Sequence, residues 1–113
     1  MLWVGLAYLL LSMGTAHAVT VGVVIARGMS YIPGNLDLAG NQMTARVPRG
    51  SDVLFTNLDQ FSDHSMTSDG GWFDSGPTRF REQVTLPTSA LAPGSYGFFC
   101  LIHGNMIGTL VVV

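Results

Sequence analysis

Lysine is absent from this chain, and its only cationic side chains are five scattered arginines. Seven acidic residues bring the formal charge to −2, and charged residues make up 11% of the 113 positions. The basic face that nucleic acid or an anionic membrane surface would require is missing. Cysteine occurs once, at Cys100, so no internal disulfide can form. No segment carries the helical period, and no repeat or low-complexity tract is present. A chain of this length folds as one domain, with a core of about 60–65% of the unfolded surface. That core must come from strands, without a covalent staple.

Charge is also missing from residues 1–26. An uncharged stretch of that length can be a membrane span or an export leader. An apolar run from Leu2 to Met13 is followed by Ala16-His17-Ala18, the small-residue pattern of a cleavage site. The basic segment that usually opens a leader is lacking, because the first arginine is Arg27. His17 and the β-branched run from Val19 to Ile25 speak against a span and for a first strand. The expectation is a signal peptide over 1–18, cleaved to leave a domain over 19–113 without stable membrane insertion. In an oxidising exported compartment a lone thiol is a liability unless something such as a metal protects it.

After the leader comes a series of short apolar runs broken by turn residues, the mark of an all-β sandwich or barrel. Val19–Ala26 reads as a strand, whereas 27–41 is Gly- and Asn-rich and irregular. Met43, Ala45 and Val47 alternate with Thr44 and Arg46, Pro48-Arg49-Gly50-Ser51 turns, and 52–57 returns as a buried strand. Leu58–Asp63 connects to His64. Phe80, Val84 and Leu86 are expected on one strand face, with Arg79, Arg81, Gln83 and Thr85 on the other. Leu91-Ala92-Pro93-Gly94-Ser95-Tyr96 has the form of a tyrosine corner. Residues 96–100 and 107–113 are the last two strands, and two packed sheets are the expected result.

The segment joining those strands carries the chemistry. Cys100-Leu101-Ile102-His103-Gly104-Asn105-Met106 sets thiol, imidazole and thioether three residues apart. A short loop can turn all three toward one point. Two His, one Cys and a weak Met describe a blue-copper site, and outside the leader the only other histidine is His64. Blander readings exist for each residue. Cys100 could be an inert small hydrophobe or half of a nucleophilic Cys–His pair, but no orienting third group or oxyanion site accompanies it. Met106 could be core. Structural zinc prefers four Cys or His ligands, and the chain offers one Cys and two usable His. His64 lies 36 residues before Cys100, so its closeness depends on the fold.

Taken together, these residues resemble the cupredoxins, in particular the plastocyanin/amicyanin branch. The resemblance runs from about Met43 to Val113. It rests on Val53-Leu54-Phe55-Thr56-Asn57, Phe73-Asp74-Ser75-Gly76, Pro93-Gly94-Ser95-Tyr96-Gly97-Phe98-Phe99-Cys100 and Met106-Ile107-Gly108-Thr109-Leu110-Val111. The Cys-x2-His-x2-Met spacing is similar to the short amicyanin loop. The resemblance implies a Greek-key β-sandwich with one type 1 copper ion, equatorial ligands His64, Cys100 and His103, and axial ligand Met106. It also implies that the Ser65 amide donates to the Cys100 sulfur. Ile102, Gly104 and Asn105 would then surround His103 at an apolar docking patch. Family members usually have Asn where this chain has Ser65, and Ser or Thr where it has Leu101. That pair normally locks the ligand loop, so both departures bear on its rigidity and on the reduction potential. Ile102 replaces a common proline, which bears on how readily His103 detaches on reduction.

The expected activity is one-electron transfer between transient protein partners by a monomer in the periplasm, and not catalysis. The alternative is a copper carrier. The methionines after the leader (Met29, Met43, Met66 and Met106) are dispersed and do not form the exposed cluster a carrier would favour. A small catalytic copper protein would need an open coordination position, with Met106 off the metal.

Overall fold

A computed structural model of the chain describes residues 20–25, 30–33, 36–39 and 42–113. The expected signal peptide over 1–18 lies outside the described residues, as do Val19 and Ala26 at the ends of the first expected strand. The described residues form strands β1 (Thr20–Ile25), β2 (Tyr31–Pro33), β3 (Leu36–Ala39), β4 (Gln42–Val47) and β5 (Asp52–Asn57). They continue with β6 (Thr67–Ser68), β7 (Gln83–Leu86), β8 (Gly94–Phe99) and β9 (Ile107–Val112). One sheet has the order β3-β4-β9-β8-β6 and the other β2-β1-β5-β7. Strand pairs β4/β9 and β1/β5 run parallel, and the remaining pairs are antiparallel. The fold is an all-β sandwich, as expected from the short alternating runs, and of the Greek-key kind that the resemblance implied.

Period-two alternation decides which side chains face the other sheet. On β4, Ala45 and Val47 are buried while Arg46 points out. On β9, Gly108, Leu110 and Val112 go in; on β5, Val53 and Phe55 do the same. Phe98 of β8, Leu86 of β7 and Tyr31 of β2 join them in the core. Fully burying a side chain such as Phe55 or Phe98 is worth about 1.5–3 kcal/mol. Tyr31 meets Phe98 edge-on with ring centroids 4.9 Å apart. The tyrosine corner forms as expected, with the Tyr96 hydroxyl donating to the Ala92 carbonyl at 2.6 Å.

Two expectations require correction. Segment 27–41 is not wholly irregular, since β2 and β3 fall within it. Phe80 does not continue the face of Val84 and Leu86, because residues 79–82 make a turn closed by Glu82 N–H to Arg79 O at 3.0 Å. Arg81 sits in the left-handed region at φ 69°, a conformation costing about 1–2 kcal/mol for a side-chain-bearing residue. Its amide donates to the Asn57 carbonyl at 2.7 Å, and the Asn57 amide donates to Glu82 O at 3.2 Å. The turn therefore ties off the end of β5, and Phe80 is left exposed. The alternation of polarity extends beyond the strand, but the backbone bonds do not.

Candidate metal centre

The register of three strands brings the singled-out residues to one end of the sandwich. Phe99, the last residue of β8, pairs with Thr67 of β6 on one side and Ile107 of β9 on the other. Cys100 is thus one step beyond both pairings, opposite Met66 and next to Ser65. Its amide donates to Met106 O at 3.0 Å, and the Met106 amide donates to His103 O at 2.9 Å. These two bonds fold the 100–106 segment into a tight loop. Cys100 and Met106 are both buried at its base.

Residues 64–67 are held from the far side by the segment after β6. His64 and Thr78 exchange both backbone hydrogen bonds, at 3.1 and 2.8 Å. The Met66 amide donates to Ser75 Oγ at 2.8 Å, and Thr67 Oγ1 donates to Asp74 Oδ1 at 2.8 Å. The Phe73-Asp74-Ser75-Gly76 motif is therefore a brace for the histidine-bearing segment.

The connection from β5 to His64 is ordered by two successive side-chain turns. Asn57 Oδ1 accepts the Asp59 amide at 2.7 Å, and Asp59 Oδ1 accepts the Phe61 amide at 2.9 Å. The Asn57 amide group donates to Ser62 O and Thr78 O at 2.9 and 2.8 Å. The other oxygen of Asp59 lies 2.8 Å from His64 Nε2, with both side chains buried. The His64 hydrogen bond, then the Phe61 amide, holds the Asp59 carboxyl below the usual carboxylate range. An ionised carboxylate only accepts, so His64 Nε2 donates to it, an arrangement that in the neutral imidazole leaves Nδ1 as the acceptor. That Nδ1 faces the Cys100 sulfur at 3.8 Å.

His103 too has a partner at its remote ring nitrogen. Its Nε2 lies 2.8 Å from Ser62 Oγ, a hydroxyl that also reaches Asp63 O at 3.1 Å. The His64 and His103 rings stand 4.9 Å apart, centroid to centroid. Among the described residues, no group of three or more His, Cys, Asp or Glu side chains could by itself hold a metal ion. A metal here would need the thioether of Met106 beside the His64–Cys100 pair, with the His103 ring closing on it. The donor set fits copper in chemistry: one thiol, two imidazoles and a thioether.

The Ser65 amide donates to the Cys100 sulfur at 3.4 Å, as the resemblance implied. The loop also has a lock of its own despite Ser65 and Leu101. Ser65 Oγ accepts the Leu101 amide at 2.8 Å, and its proton goes to Thr67 Oγ1 at 2.9 Å. Beneath it the Tyr31 hydroxyl donates to Ser65 O at 2.5 Å. Burial, and after it the neighbouring Cys100, pushes that phenol well above its ordinary pKa.

Around His103, Ile102 and Leu101 are 43% and 49% exposed, and Gly104 and Asn105 are exposed as well. Phe61, beside the Ser62 that holds His103, is 76% exposed. Asp59, Ser62, Phe61 and Tyr31 carry no mark in the sequence that singles them out as site residues. The Asn57-Leu58-Asp59 pattern signals a side-chain-capped turn, which could have drawn attention to Asp59. Tyr31 gives no such local signal.

No family model matches the chain, and no curated protein matches it. Among solved structures it is similar to a purple cupredoxin from Nitrosopumilus maritimus, with 22% identity and a TM-score of 0.59. The match covers 81% of this chain and 98% of that one. A substituted amicyanin solved in its Cu(I) form aligns with 20% identity and TM-score 0.62 over 86% of this chain and 83% of that one. A second Cu(I) amicyanin variant aligns with 19% identity and TM-score 0.64, covering 83% and 82%. At these identities the likeness establishes the cupredoxin-like fold.

Proposed function

We propose that the chain is a type 1 copper protein that carries single electrons between protein redox partners in the periplasm, with His64, Cys100, His103 and Met106 as ligands. One observation carries the reading. His64 Nδ1 and the Cys100 sulfur face each other in a buried site, and the Ser65 amide donates to that sulfur. A bound copper ion supplies a one-electron couple that thiolate, imidazole and thioether ligands accept in both oxidation states. The chain's own residues supply the rest. Strand ends and the 100–106 loop preset the donors, so little has to move between states. Ser65 N–H tunes the thiolate by its hydrogen bond. His103, half-buried between Ser62 and the exposed Ile102, gives partners the nearest approach. The apolar surface of Leu101 and Ile102 suits a small, short-lived encounter. No residue is assigned a catalytic role, and the chain acts as a monomer after removal of its leader.

The test is Cu(II) addition to the metal-free protein. It should produce an intense visible band from thiolate-to-copper charge transfer, absent in Cys100→Ser. A colourless product in the unsubstituted chain defeats the reading. Rapid loss of the metal to a weak chelator on reduction would favour the copper carrier.

A further inference from the structure

We propose that Asp59 is a positioning residue of this centre: through His64 it aims Nδ1 at Cys100, and its buried negative charge lowers the reduction potential. The inference rests on the copper reading above. Asp59 and His64 are paired at 2.8 Å, with side chains 6% and 0% exposed. A salt-bridge or hydrogen-bond partner this deeply buried is not a surface accident, since a charge out of water must be compensated.

The carboxylate is itself held at both ends. One oxygen accepts the Phe61 amide, and the residue's own amide donates to Asn57 Oδ1. Asn57 in turn donates to Thr78 O, the same carbonyl that accepts the His64 amide. Backbone and side chain of His64 are thus referred to one small framework, and rotation of the ring would break the Asp59 bond. A carboxylate on the remote nitrogen of a ligating histidine fixes its tautomer and raises its basicity as a ligand.

The charge balance gives the direction of the effect. With the Cys100 thiolate and the Asp59 carboxylate, the buried site carries two negative charges. A divalent ion neutralises both, whereas its one-electron-reduced form leaves one negative charge in a low-dielectric interior. The oxidised form is therefore favoured, and removing the carboxylate charge should reverse the preference. The electron enters from a partner or electrode, and no proton moves at Asp59.

Three measurements on the full chain test this. Copper uptake by the unsubstituted protein, read from its charge-transfer band, comes first; without it the copper reading and the claimed potential both fail. Voltammetry of the loaded protein then compares it with Asp59→Asn. The inference expects at least a tenfold shift of the reduction equilibrium toward the reduced form, ~59 mV upward for a one-electron couple. An unchanged or lower potential with the visible band intact overturns the Asp59 role alone. The third measurement needs neither copper nor a variant. Nitrogen NMR of the metal-free protein should find His64 as the Nε2–H tautomer with an exchange-protected ring proton, and an Nδ1–H tautomer overturns the positioning role.

Discussion

Tyr31 shows how one side chain can support a site it never enters. Its ring packs edge-on against Phe98 and Phe55, and its hydroxyl reaches the carbonyl of Ser65, whose amide serves the Cys100 sulfur. Tyr31→Phe keeps the ring but leaves that buried carbonyl without its donor, which costs about 1–3 kcal/mol. Urea unfolding at neutral pH measures the loss. The same residue predicts an alkaline limb. The folded pKa of the phenol stands well above the ordinary 10.0, raised by burial first and by Cys100 second. The neutral phenol is favoured in the fold, so this contribution is fully present below pH about 10 and is lost as pH climbs through the unfolded value toward the folded one. Between pH 8 and 11 the unsubstituted protein should lose more unfolding free energy than Tyr31→Phe. Equal losses would remove the phenol as the cause.

Between elements, the critical join is that of the segment before β6 with the loop after β8. Ser65 Oγ accepts the Leu101 amide and donates to Thr67 Oγ1, which passes its own proton to Asp74. Ser65→Ala removes the acceptor and is expected to cost about 1–3 kcal/mol. Hydrogen exchange should quicken at the Leu101 amide, while amides in the middle of β9 stay protected. Uniform quickening would mean that the whole sheet had been loosened. This chain of hydroxyls also shows what the sequence can and cannot disclose. Strands β4, β5, β8 and β9 are legible because alternation and burial there agree with turn residues at their ends. The thiol–imidazole–thioether loop is legible because its spacing is local. Ser65 and Leu101 hide the lock, since it is a bond from a backbone amide to a hydroxyl oxygen and not one between two side chains. Asp59 is illegible because only folding brings its carboxylate to His64, through bonds to Asn57 and Phe61. Phe80 breaks the pattern because periodicity carries no information about where Arg81 adopts a left-handed backbone.

At the scale of the molecule, the candidate centre sits where the two sheets meet at one end. His64 follows β5 of the four-stranded sheet, whereas Cys100, His103 and Met106 lie between β8 and β9 of the five-stranded one. An ion held by all four would link the sheets without a disulfide, in a chain whose single cysteine cannot make one. Binding to the folded state alone stabilises it by about 2.7 kcal/mol when free ligand exceeds Kd a hundredfold. For a domain of this size that corresponds to roughly 10–20 °C in the unfolding midpoint, at about 4–8 °C per kcal/mol. Calorimetry of the copper-loaded and metal-free forms should therefore separate by that margin, and the gap should widen as free copper rises. Cys100→Ser should abolish most of the gap while leaving the metal-free midpoint close to that of the parent, because serine removes a ligand sulfur without emptying the surrounding core. If the variant gained as much from copper as the parent, the stabilising ion would be bound elsewhere. The two sheets would then owe nothing to a metal between them.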